Sequence, residues 1–124
     1  MKRTSSLLIL IILMFGSLAV SAQKKPLIED RDKVAKRASE TFKAAMDAPE
    51  GELYVFGKEN NITGSYDFKI TLGDKGKVVS IFVLNREGGS IKMQNMVKDA
   101  VKETRFDFKL PKNKDYSITY KFNF

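Results

Sequence analysis

Cysteine and histidine are both absent from this 124-residue chain. Without histidine, no side chain has the ordinary pKa of a general base at neutral pH. Without cysteine, there is no thiolate nucleophile and no soft metal ligand. The missing cysteines also exclude a disulfide scaffold, so stability has to come from packing. Several serines remain, none of them in a nucleophile elbow. The carboxylate pairs Glu29/Asp30 and Glu50/Glu52 stand at a charged helix end and beside a turn, where solvation accounts for them. The stretch "GDKGK" from Gly73 lacks the longer glycine frame and following Lys-Ser/Thr of a phosphate loop. The expectation is a non-enzymatic protein with no cofactor and no metal.

Proline is scarce, at three residues, and there are no internal repeats or low-complexity tracts. No apolar run is long enough to span a bilayer. The run from Leu7 to Val20, broken by Gly16 and Ser17, falls short of the roughly 20 residues required. Lys2 and Arg3 precede it, and Val20-Ser21-Ala22 follows as a small-x-small site. That is the pattern of a secretory signal peptide over residues 1–22, cleaved before Gln23, rather than of a retained anchor. The expected location is periplasmic or secreted, with no stable membrane insertion after cleavage. Loss of Lys2 and Arg3 lowers the formal charge from +7 to +5. The signs are interspersed, so a concentrated nucleic-acid footprint is not expected.

Periodicity then organises the remaining residues. From Pro26 to Met46, Val34, Ala38, Phe42 and Ala45/Met46 form one narrow stripe, the pattern of a surface helix. Pro49 stops it. "ELYVFG" from Glu52 reads as a short strand. Tyr66, Phe68, Ile70 and Leu72 alternate with polar residues, as in a strand with one wet face. "GDKG" offers a hairpin connection. "KVVSIFVLN" is continuously apolar and reads as a strand covered on both faces or central in its sheet. Ser90 can cap a second amphipathic helix carrying Met93, Met96/Val97, Ala100/Val101 and Thr104. Phe106, Phe108 and Leu110 lead out to a last strand, where Ile118, Tyr120, Phe122 and Phe124 alternate with Ser117, Thr119, Lys121 and Asn123.

The expected class is α+β: an antiparallel three-stranded sheet of order β-β-α-β, with an additional N-terminal helix and short strand. Residues 23–63 hold the helix and short strand, and residues 64–124 hold the sheet. The helical return makes the last strand antiparallel to the first of the hairpin and parallel to the second. Lying beside the first is the simpler arrangement, giving the spatial order second, first, last. The terminal strand is then an edge. Its lysines and aromatics could mimic a nucleic-acid platform, but alternation sends the aromatics to the core and leaves lysines to guard the edge.

Residues 64–124 resemble the C-terminal domain of TonB and its relatives. The resemblance rests on "GSYDFKITL", "GDKGKVVSIFVL", "MQNMVKDAVKETRFDF" and "SITYKFNF". Gly76, Val78, Ile81 and Val83 match the second-strand positions, and Met93, Val97, Ala100 and Val101 match the helix positions. Thr104 departs from the pattern, because family members commonly carry a large aromatic there. The long proline-rich spacer of the energy-transducing members is also missing. The resemblance implies a binding domain used alone in the envelope of a Gram-negative-type bacterium. Its partner would be an extended protein segment, such as part of an outer-membrane receptor, pairing with the last strand. Ser117, Thr119, Lys121 and Asn123 would border that partner on the face away from the helix. Homodimerisation through the terminal strand is an equally simple use of the edge. The alternative is a small secreted structural or inhibitor-like domain of cystatin type, acting through loops such as Glu50–Gly57 or Arg86–Ser90.

Overall fold

The computed structural model describes residues 25–124, so the expected signal peptide and its cleavage site lie outside the described residues. Helix α1 spans Arg31–Met46. Asp30 caps it, its Oδ1 accepting from the Asp32 N–H at 3.0 Å, and Asp32 adds negative charge where the helix dipole favours it. The stripe read from the sequence is the buried one, with Val34, Ala38 and Phe42 wholly inaccessible.

Residues 52–57, expected as a short strand, are instead part of helix α2, Glu52–Glu59. Leu53 and Gly57, four apart, share the buried face. Any larger residue at Gly57 would displace a neighbour. The ring of Phe124 lies against this glycine, and an added Cβ would come within 2.6 Å of that ring. The segment Glu50–Gly57 is therefore mostly helix rather than a contact loop.

Strand β1, Ser65–Gly73, leads through a 3-10 turn at Asp74–Gly76 into β2, Lys77–Glu87. Gly76 takes a left-handed φ of 67°, and any Cβ there would collide with the carbonyl oxygen of Phe108. Helix α3, Ile91–Lys102, starts at Ser90, whose Oγ accepts from the Met93 N–H at 3.1 Å. Strand β3, Tyr116–Asn123, closes the chain.

The three strands form one open antiparallel sheet in the order β2-β1-β3, the simpler of the two arrangements that the helical return allows. Both long helices cover the same face, α1 chiefly over β3 and α3 over β2. Tyr66, Phe68, Ile70 and Leu72 of β1 are fully buried beneath them. Phe106, Phe108 and Leu110 of the exit segment fill the space between. Phe42 is the hub, its ring centroid 5.4 Å from Phe106, 5.4 Å from Tyr120 and 5.3 Å from Phe122. One continuous cluster thus joins residues on both sides of position 63.

Strand β2 differs from its expectation. It is neither central nor covered on both faces: it is an edge, and its outer face is open. Val79, Phe82 and Leu84 are all exposed there, Phe82 by 67%. The uninterrupted apolar run comes from two register shifts. Asn85 and Val83 pair with consecutive residues of β1, as do Ser80 and Val78, leaving Leu84 and Val79 as the inserted residues of two bulges.

Two tyrosines, Tyr66 in the core and Tyr120 packed against it, carry a pH consequence. Burial pushes the Tyr66 phenol up from its ordinary 10.0, with the Arg86 guanidinium partly opposing. Burial also pushes Tyr120 up, and the Asp47 carboxylate adds to it. A raised folded-state pKa means that the unfolded chain releases these protons first. Their contribution is whole below about pH 10 and declines as pH rises through the folded values. Denaturation midpoints should fall above about pH 10, and absorbance titration should show Tyr66 and Tyr120 ionising late.

Candidate edge-strand interface

Strand β3 pairs with β1 without a single register shift, from Ser65↔Asn123 to Leu72↔Tyr116. The Phe124 N–H donates to the Gly64 carbonyl at 2.9 Å, continuing the same register by one pair. In an antiparallel ladder, hydrogen-bonded pairs alternate with pairs that are not. Counting back from Phe124, the backbone groups of Phe122, Tyr120, Ile118 and Tyr116 point to β1. Those of Ser117, Thr119, Lys121 and Asn123 point to the open edge. The four residues expected from alternation are thus the four whose N–H and C=O groups lie outside the sheet. Among the described residues none of these groups takes another backbone partner.

Their side chains are not equivalent. Non-hydrogen-bonded pairs bring side chains close, and two of the four use this to bond β1. Ser65 Oγ donates to Asn123 Oδ1 at 2.6 Å, and Thr71 Oγ1 and Ser117 Oγ share a hydrogen bond of 3.0 Å. Thr119 stands across from Lys69 and Lys121 across from Asp67, both exposed. Ser117 and Asn123 therefore rigidify the edge, while Thr119 and Lys121 are presented to a neighbour.

The sequence did not reveal the helical side of this edge. Arg31 at the start of α1 borders a groove with Asp115 to Thr119. Met46 at its end borders another with Asn123 and Phe124. The helix consequently runs parallel to β3. On a helical wheel, Arg31, Ala35, Ser39 and Met46 share the flank between those ends. Ala35 and Ser39 are small and half-buried, which leaves a shelf beside the strand. The one sequence signal was the alanine content of the α1 stripe.

The opposite edge is unlike it. The two bulges of β2 break the even spacing that a further strand would need, a known protection against unwanted pairing. The sheet thus has one regular edge flanked by a helix and one irregular edge.

Among the described residues no group of His, Cys, Asp and Glu side chains could hold a metal ion. No helix among them is long and apolar enough to cross a membrane. No family model matches the chain, and neither the curated proteins nor the solved structures give a match. Fold and edge together define an α+β domain of one three-stranded antiparallel sheet with helices on one face.

Proposed function

We propose that this protein is an exported, non-enzymatic binding domain that takes an extended protein segment as a fourth strand on β3. The observation that carries the reading is the unbroken β1–β3 register, which leaves four alternate residues with outward-facing backbone groups on one edge. Main-chain hydrogen bonds of such an addition supply affinity, and side-chain pockets supply selectivity. The partner's inward side chains would rest over Ala35 and Ser39, and its outward ones beside Thr119 and Lys121. The resemblance of residues 64–124 to the TonB C-terminal domain leads to the same strand. It makes a segment of an outer-membrane receptor the first partner to try. A second copy of the chain, pairing edge to edge, is the competing occupant.

The test is an amide titration. Uniformly ¹⁵N-labelled protein from Gln23 onward is mixed with extended receptor-derived segments and with scrambled versions. Shifts confined to residues 115–124 and to the Arg31–Met46 flank are the expected result. Shifts confined to Arg86–Ser90 would instead favour a loop-acting inhibitor-like domain. Line broadening that grows with protein concentration alone would identify self-pairing.

A further inference from the structure

Five lysines and Arg105 converge at the hairpin end of the sheet. Lys25 comes from the N-terminal segment, Lys75 and Lys77 from the turn and start of β2, and Lys109 and Lys112 from the segment after α3. Together they border one shallow hollow around Leu27. The segments are fastened to one another. The Ile28 N–H donates to Lys109 O at 2.9 Å, the Lys109 N–H donates to Pro26 O at 2.8 Å, and Lys25 Nζ donates to Phe106 O at 3.0 Å. The close seat of Gly76 on the Phe108 carbonyl fixes the turn against the same segment.

Among the described residues the charge in this hollow is largely uncompensated. Arg105 reaches the Glu103 carboxylate only at 3.9 Å, with both side chains well exposed. Among the described residues, Lys25, Lys77, Lys109 and Lys112 have no carboxylate within 4.0 Å. In their midst Leu27 is 57% exposed.

We propose that this hollow docks the protein on the surface of an anionic phospholipid membrane. The lysines would meet lipid phosphates, while Leu27 enters the boundary between headgroups and acyl chains. Charge complementarity demands an anionic partner. The exposed leucine, ringed by cations on an open surface, favours a lipid interface over a soluble anion, which would leave it in water. Tyr116 pairs with Leu72 at the hairpin end, so β3 begins at the docked end and runs away from it. Its edge stays open to a partner while the protein is bound. The inference is independent of strand addition and adds a second contact at the end of the sheet where β3 begins.

The measurement is co-sedimentation with vesicles. Residues 25–124 contain the whole described core, so the chain from Gln23 is used once a cooperative thermal transition has been recorded. Vesicles of phosphatidylcholine with about 30% phosphatidylglycerol should bind the protein, and pure phosphatidylcholine vesicles should not. Raising salt from about 50 to about 500 mM should release it. The paired change Lys77→Glu with Lys112→Glu should weaken binding at least tenfold. Lys33→Glu with Lys36→Glu, which alters net charge equally on the exposed side of α1, should weaken it less than threefold. Leu27→Ala should also weaken it. Equal loss in the two charge-reversed proteins, indifference to Leu27, or absence of vesicle binding would each overturn the proposal. So would tighter binding to a soluble polyanion such as heparin, with vesicles unable to compete.

Discussion

Replacing Phe42 with alanine should lower unfolding stability by about 3–5 kcal/mol, the range for deleting a buried aromatic. The side chain is wholly inaccessible and meets three other rings at centroid distances of 5.3 to 5.4 Å. Two of the three contacts, those with Phe106 and Phe122, are edge-to-face. That geometry adds roughly 0.5–1.5 kcal/mol per pair beyond burial. The neighbours sit on a strand and on a segment pinned by Lys109, so they cannot collapse into the vacated space. A domain of this size has only about 5–15 kcal/mol in total. The change should therefore remove roughly a fifth of its stability or more.

The same experiment tests whether residues 25–63 are an appendage. If α1 packed as a separate unit, the variant would unfold in two steps, losing helix first. Because Phe42 shares one cluster with Phe68 and Phe122, a single urea transition should shift to lower concentration with its slope unchanged. Lys43→Ala, one residue away and exposed, should stay within about 0.5 kcal/mol. A loss below about 1 kcal/mol for Phe42→Ala would contradict the packing described here.

The strands and helices that were legible are those in which one periodicity ruled a whole segment. Val34, Ala38 and Phe42 keep helical spacing, and Tyr66 to Leu72 and Ile118 to Phe124 keep strand spacing. Leu53 to Phe56 defeated the reading, because four consecutive apolar residues fit a buried strand or a helix equally well. As a helix they bury Leu53 and bring Gly57 against Phe124, which lies far along the chain. Strand β2 failed differently. Two inserted residues change its parity, so Val79 and Leu84 made an exposed edge look like a core strand. That the backbone groups of the four edge residues face the open edge follows only from the register with β1. The side chains of those residues were legible from alternation. The shelf of Ala35 and Ser39 was not, since it depends on α1 lying parallel to β3. Nor was the cationic hollow, whose members are scattered from Lys25 to Lys112 in a chain of interspersed charge.

Two neighbouring prolines should have opposite effects on β3. By the register, the N–H of Thr119 faces the open edge and that of Ile118 bonds to β1. Proline at Thr119 removes no ladder hydrogen bond, and prolines are tolerated on strand edges for that reason. Stability should change by about 1 kcal/mol or less. Binding of an extended segment should nevertheless fall. A donor is lost at the middle of the edge, and a partner carbonyl is stranded beside the pyrrolidine ring, a penalty of about 1–3 kcal/mol. That corresponds to a loss of roughly five- to 150-fold in affinity.

Ile118→Pro should do the reverse damage. It deletes a central ladder bond and a buried side chain, 7% exposed, so the domain should lose about 3 kcal/mol or more. Thr119→Ala completes the set. It keeps the N–H while removing the hydroxyl, and affinity should stay within about threefold if main-chain bonds dominate. Denaturation curves and isothermal titration on the three proteins read out both quantities. A folded Thr119→Pro protein that binds as tightly as the parent would rule out strand addition on β3. The partner would then have to be sought on the loops or on the open face of β2.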